Sequence, residues 1–333
     1  MGMTFSEIER DILDRIQCDF PLSSAPYECI SRDLGCTESR AHEIIVGLRA
    51  KGVIRRIGGS FSAERLGYSS ALVAARVDQD AIESVAEKAN AYTEVTHNYE
   101  REGSYNLWFT VIGEDSQRIH DIVDEVAQCR GVRSMHLLPA LRVFKIRVDF
   151  GFNRNQLPSS VALEQNLSKE KYDPSSLSDT DRRIIRRACG DIGGSLHPFR
   201  EMATEIDVSQ DELIERLNAY KKSGMLRRFG AILLHKEAGY AANGMSVWNV
   251  PDQDVERVGE LLAACRDVSH CYERSRMEDW PYNVYAMIHC RTKDGCTAVA
   301  SRLSSESDIG DYGILFSVRE FKKTSFTYFN DVI

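Results

Sequence analysis

The chain has 333 residues, 43% hydrophobic and 28% charged, and carries a net charge of −8. That length accommodates two or more domains with cores of their own, and the acidic balance disfavours tight non-specific binding to nucleic acid. No apolar run approaches the roughly 18 residues of a membrane-spanning helix, and the N-terminus lacks the basic-then-apolar pattern of a secretion signal, so a cytoplasmic protein with no membrane partner is expected. Nine cysteines without a C-x-x-C pair argue against a disulfide framework or a thiolate zinc site and predict reduced thiols.

Ile8, Ile12, Leu13 and Ile16 follow helical spacing, with Ser6 as N-cap and Glu9 three residues on. After a break from Pro21 to Pro26, a short helix ends at Leu34-Gly35. Thr37 then caps a longer helix to about Ala50, with Gly52 placed to stop it. Helix, helix, turn, helix and the strand V-I-R-R-I-G make a winged helix-turn-helix. A second pattern follows: strand Ala71 to Val77, helix Gln79 to Ala91, strands Val95 to Arg101 and Asn106 to Ile112, helix Ser116 to Cys129, and strand Ala140 to Asp149. This βαββαβ order predicts an antiparallel sheet with helices on one face, a ferredoxin-like arrangement.

The whole pattern occurs twice. Ser6 to Leu13 matches Ser178 to Ile185 at an offset of 172, which also carries Gly52 to Gly58 onto Gly224 to Gly230. The offset drifts to 173 at His97 and His270, and to 177 at Phe144-Lys145 and Phe321-Lys322, as loop insertions would cause. The expected fold is therefore α+β in two tandem repeats. Helix-turn-helix domains span 1–62 and 178–234, ferredoxin-like domains span 63–151 and 235–333, and a polar linker covers 152–177. A polar and aromatic cluster recurs as V-T-H-N-Y-E-R (95–101) and V-S-H-C-Y-E-R (268–274), each followed by Tyr-Asn. The second copy inserts four extra residues before that Tyr-Asn, which points to one elaborated site out of two.

A helix-turn-helix followed by βαββαβ resembles the Lrp/AsnC regulator family, and particular motifs narrow the match. G-V-I-R-R-I-G, T-H-N-Y-E-R and Y-N-L-W-F-T resemble the A-type subunit of the siroheme decarboxylases. L-R-R-F-G-A, V-W-N-V-P, S-H-C-Y-E-R and D-W-P-Y-N resemble the B-type subunit. The chain looks like both subunits joined head to tail. The resemblance implies an enzyme of an alternative haem route, or of the haem route serving denitrification. Such an enzyme removes carbon dioxide from two acetate arms of siroheme and releases didecarboxysiroheme. It implies no cofactor beyond the iron tetrapyrrole itself, with a haem-like product as a further ligand.

A flat iron macrocycle edged with carboxylates needs cations, aromatic walls and a proton source. In the second copy His270 is the candidate proton donor or axial iron ligand. Tyr282 is a second donor, and Arg274 orients carboxylates. Arg227, Arg228, Arg276, Arg319 and Lys322 are further carboxylate contacts, with Tyr272, Trp280 and Tyr285 as walls. The two copies are expected to pair within the chain, bringing Arg55, Arg56, His97, Arg101 and Lys145 across to the site; a homodimer of such chains stays open. Two other readings compete: a transcription regulator, and a haem-sensing module without turnover. DNA binding is disfavoured because the second recognition helix, Ser209 to Ser223, opens with Gln210, Asp211, Glu212 and Glu215, which would repel phosphate.

Overall fold

The computed structural model describes residues 5–146, 174–233 and 242–330. The first copy runs α1 (Glu7–Cys18), α2 (Pro26–Leu34), α3 (Glu38–Ala50), β1 (Ile54–Phe61), β2 (Ser69–Val77), α4 (Ile82–Asn90), β3 (Val95–Arg101), β4 (Leu107–Gly113), α5 (Ser116–Ala127) and β5 (Val132–Ile146). The second runs α6 (Asp179–Ala188), α7 (Pro198–Glu205), α8 (Gln210–Lys222), β6 (Leu226–Leu233), β7 (Ala242–Trp248), α9 (Val255–Ala264), β8 (Val268–Arg274), β9 (Val284–Cys290), α10 (Lys293–Ser307) and β10 (Tyr312–Lys323). The α+β class and the twofold repeat are as the sequence predicts. Most of the expected linker, and the expected strand end at Asp149, lie outside the described residues.

The compact units do not follow the copies. One unit comprises Met1–Gly67, Asp149–Gly239 and Thr327–Ile333, and the other comprises Tyr68–Val148 and Tyr240–Phe326. Each unit therefore takes the same part from both copies.

In the helix-turn-helix unit, Ser6 and Glu9 form a full capping box at the start of α1, and Ser178 and Asp181 repeat it on α6. Gly52 ends α3 at φ +73°, where the Val53 amide turns back to the Leu48 carbonyl at 3.0 Å. The two wing strands, β1 and β6, pair antiparallel with Gly58 opposite Gly230. Arg56 reaches from its wing to the carbonyl of Cys189 at the end of α6, and Arg228 reaches to the carbonyl of Gln17 in α1. The glycines permit this closeness: a Cβ on Gly58 would collide with the Gly190 carbonyl oxygen, and one on Gly230 would lie 2.7 Å from that of Ile16. The third helices are held in the same crossed manner. Arg49 of α3 binds Asp191 bidentately at 2.6 and 2.8 Å, and Lys221 of α8 binds Asp19 at 2.6 Å.

The other unit is a closed eight-stranded barrel in the order β10-β3-β4-β2-β5-β8-β9-β7. The sheets of the two copies thus join into one, and the cause lies in the long last strands. β5 pairs with β2 as far as Pro139, opposite Ala71, and from Ala140 it pairs with β8. β10 pairs with β7 as far as Phe316 and from Ser317 with β3. The final strand of the first copy thus begins at Val132 and not at Ala140, because Pro139 sits where the ladder changes partner and no amide hydrogen is missed. Along β2, Val73, Ala75 and Val77 face the core under α4 and α5, while Leu72 and Ala74 face the barrel interior. A matching core under α9 and α10 serves the second copy.

Two glycines separate the packing contributions. Gly58→Ala is expected to destabilise the helix-turn-helix unit by about 1–3 kcal/mol through overpacking against backbone. Gly47→Ala, in open space on α3, is expected to stabilise it by about 0.5–1 kcal/mol. Urea unfolding of the two variants checks both signs.

Candidate functional site in the barrel

On β8, strand alternation sends Cys271 into the core under α9 and puts His270, Tyr272 and Arg274 on the other face. Arg274 is 8% exposed; it donates to the Leu138 carbonyl, and its guanidinium lies 4.8 Å from the Tyr272 ring centroid and 5.9 Å from that of Tyr285. Burial holds its pKa below the usual arginine range. Its buried Nε has no hydrogen-bond partner, and no ion pair to a carboxylate is found for it among the described residues. The Tyr272 ring stacks in turn on His270, with centroids 6.2 Å apart and planes within 19°. His270 Nδ1 lies 2.8 Å from the Ser269 hydroxyl, and the same hydroxyl lies 2.8 Å from Nε2 of His289 on β9. Opposite Tyr272, β5 leaves Val143 48% exposed, and Leu141 nearby is 60% exposed. Apolar area, a tyrosine face, a buried cation and a tethered imidazole thus share one strand pair.

The first copy repeats the ladder with three changes. His97 and Tyr99 stack at 6.4 Å, and Arg101 lies 5.2 Å from the Tyr99 centroid. Arg101 is 5% exposed and donates to the Leu315 carbonyl at 3.1 Å; burial pushes its pKa down to about 10, and its Nε also has no partner. The residue hydrogen-bonded to the imidazole is Thr96, at 3.0 Å from His97 Nδ1. Ile112 occupies the register position of His289, each amide bonding the equivalent loop carbonyl of Glu94 or Asp267. Glu320 stands opposite Tyr99 and accepts its hydroxyl at 3.1 Å, where the second copy has Val143.

Of the remaining candidates, Tyr285 stands beside Tyr272 and Arg274 in the register of β8 and β9. Trp280 and Tyr285 are buried in the barrel interior with Tyr105, Trp108 and Leu315; the Trp280 indole donates to the Tyr285 hydroxyl at 3.1 Å, and burial pushes that phenol up to about 12. Tyr282 is half-buried beside Trp280, and desolvation followed by the Asp311 charge raises its pKa. Arg276 braces the inserted loop, bonding the Pro281 and Val250 carbonyls and Asp252. Asp279 of that loop holds Arg76 and the Tyr105 hydroxyl, both at 2.7 Å. Arg319 pairs with Glu100 and Glu83, as Arg142 does with Glu273 and Glu256. Lys322 binds the Asn90 and Tyr92 carbonyls past α4, and Lys145 binds that of Cys265 past α9, so both serve helix C-termini. Arg55, Arg56, Arg227 and Arg228 belong to the helix-turn-helix unit. There Arg227 donates to Ser62 at 3.2 Å, and Arg56 and Arg228 make the crossed contacts already described. The Tyr-Asn pairs owe their asparagines to the backbone: Asn106 clamps Val77 and Asn283 clamps Val250, each through two hydrogen bonds of 2.8–3.0 Å.

A model of the siroheme decarboxylase NirDL-like HTH domain matches residues 9–55 and 181–227, and one of the AsnC-like ligand binding domain matches 65–145 and 237–322. A siroheme decarboxylase of Hydrogenobacter thermophilus is 36% identical over 332 residues, covering 99% of this chain and 96% of its own. The chain belongs to the siroheme decarboxylase family. A siroheme decarboxylase beta subunit of Methanosarcina barkeri is 43% identical over 148 residues, 97% of its length but 44% of this chain. The crystal structure of the siroheme decarboxylase NirDL in co-complex with an iron-uroporphyrin III analogue is similar at a TM-score of 0.73 and 33% identity, covering 98% of this chain and 95% of that one.

The structure adds Ser269, His289 and Val143 to the surroundings of the His270 ladder and Glu320 to those of the His97 ladder, none of them singled out by a motif. Aligning the two copies strand by strand would have exposed His289 against Ile112 and Val143 against Glu320. No group of three or more His, Cys, Asp or Glu side chains able to hold a metal ion occurs among the described residues. A buried cation without a counter-ion costs stability that a ligand recovers. Arg274→Met is therefore expected to stabilise the ligand-free protein by on the order of 1 kcal/mol, read as a higher urea midpoint.

Proposed function

We propose that this chain is a siroheme decarboxylase, a carboxy-lyase that removes carbon dioxide from two acetate arms of siroheme and yields didecarboxysiroheme. The observation that carries the reading is Arg274, a buried guanidinium with an unpartnered Nε beside a tyrosine face and a hydroxyl-tethered imidazole. An anionic, flat, aromatic ligand answers each of those features. In this reading Arg274 takes a carboxylate that is not lost, since the reacting one must not be over-stabilised as an anion. The macrocycle lies against Tyr272, Val143 and Leu141. When the carbon–carbon bond to the departing carboxylate breaks, its electron pair stays on the methylene carbon and spreads into the ring. His270, held through Nδ1, delivers a proton from Nε2 to that carbon, leaving a methyl group. Tyr282 is the alternative donor. The substrate brings its own iron, and no further cofactor enters the reaction.

The second copy suits this chemistry better than the first. Glu320 would repel a carboxylate beside Tyr99, and Ile112 leaves His97 without the second histidine that backs His270. The regulator reading loses support from the third helices. Arg49 and His42 of α3 are engaged by Asp191 and the Gly194 carbonyl, and Lys221 and Asn218 of α8 by Asp19 and the Leu22 carbonyl. No helix among the described residues is long and apolar enough to cross a membrane.

The test mixes the purified chain with siroheme without oxygen and follows the tetrapyrrole by absorbance and mass spectrometry. Loss of two carbon dioxide units is expected, slowed about 10²–10⁴-fold in His270→Ala. Binding without mass loss would support a carrier or sensor, and retention on DNA with no tetrapyrrole binding would restore the regulator.

A further inference from the structure

The first copy carries a pair of buried donors that the second copy lacks. Arg101 on β3 stands directly opposite Ser317 on β10, and such cross-strand neighbours have Cβ atoms about 4.5–5.5 Å apart. Alternation puts both side chains on the inner face of the barrel. On β3, Asn98 turns outward to the Ala86 carbonyl of α4 and Glu100 to Gln79, so Tyr99 and Arg101 turn inward. On β10, Leu315 belongs to the interior cluster, and Ser317 follows it by two residues. Arg101 donates through Nη1 to the Leu315 carbonyl at 3.1 Å. Its Nε and the Ser317 Oγ are nonetheless both buried and both without a hydrogen-bond partner. In the second copy Ala140 stands opposite Arg274, so the hydroxyl is particular to the first.

Two orphaned donors on facing residues, one of them part of a cation, are costly to bury unless an acceptor meets them. We propose that Arg101 and Ser317 form a binding site for one small planar monoanion, a carboxylate such as formate or acetate, or bicarbonate. An N–H and an O–H on neighbouring strands suit the two oxygens of one carboxylate, and one guanidinium balances one negative charge. Tyr99, Arg101 and Leu315 are all buried, which suits a small ion and not a macrocycle. Glu320, which accepts the Tyr99 hydroxyl, adds a negative charge farther along the strand pair and disfavours a dianion such as sulfate. The site is therefore distinct from the macrocycle face of the second copy, and it holds whether or not siroheme is turned over. Its two donors come from different copies, so a bound anion ties the exchanged end of β10 to β3 and stabilises the closed barrel.

Calorimetric titration of the full chain with sodium formate tests this, at ionic strength held constant with sodium chloride. The Arg274→Met variant serves as the parent, so that the buried arginine of the second copy contributes nothing. It should take up one equivalent of formate saturably. Adding Ser317→Ala should raise the Kd at least about tenfold, the loss of one hydrogen bond to a charged group. Adding Arg101→Met should abolish the uptake. Ser317→Ala installs the residue that the second copy already carries at this position, so it decides the matter even if Arg101→Met fails to fold. As a second readout, formate should raise the urea midpoint of the parent more than that of the Ser317→Ala chain. Absence of saturable uptake in the parent, an unchanged Kd in Ser317→Ala, uptake that survives Arg101→Met, or sulfate binding more tightly than formate would each overturn the assignment.

Discussion

The exchange of strand ends between the two copies is the interaction on which the barrel depends. β5 and β10 are each longer than their own sheet can use, and each donates its second half to the other copy. That exchange closes the sheet, removes its edges and creates an interior distinct from the two helix-covered cores. It also supplies the surroundings of the ladder. Arg274 bonds Leu138 and Tyr272 stands beside Val143, both on β5; Arg101 bonds Leu315 and Tyr99 bonds Glu320, both on β10. Neither copy could build those surroundings from its own strands.

Pseudo-symmetry then makes the differences informative. Both copies retain a stacked His-Tyr pair and a buried arginine with an unpaired Nε, which is costly in the ligand-free protein. The copies part at two register positions: Val143 against Glu320, and His289 against Ile112. The inserted residues after Arg274 add Trp280 to the interior and fix it through Asp279, Arg76 and Tyr105. A duplicated scaffold has thereby become asymmetric with few substitutions.

Local signals were legible in the sequence because local chemistry made them. Ser6 with Glu9 and Ser178 with Asp181 are capping boxes in both pattern and structure, and Gly52 stops its helix at positive φ. The repeat offset located equivalent residues without any structure. What escaped was non-local. A strand broken by Pro139 reads as ending or beginning there, and only the change of pairing partner explains why it runs on. Arg319 and Lys322 read as carboxylate contacts, and Lys145 as a contact across the copies, because they are cations near the right motif; their partners, Glu100, the Asn90 carbonyl and the Cys265 carbonyl, are set by tertiary packing. His270 and Arg274 were visible through recurrence, whereas His289 sits on the neighbouring strand, with no motif of its own.

The exchanged strands carry a consequence for assembly. A relative such as the beta subunit of Methanosarcina barkeri spans only about half of this chain, so a match of that length cannot supply both strand donors. Here the two donors are tethered, and each meets the other at an effective concentration set by chain connectivity and not by abundance. Dilution cannot separate them, their stoichiometry is fixed at one to one, and pairing of like with like is outcompeted before it starts. Covalent connection thus protects the asymmetry: the half carrying His289 always closes its barrel against the half carrying Ile112.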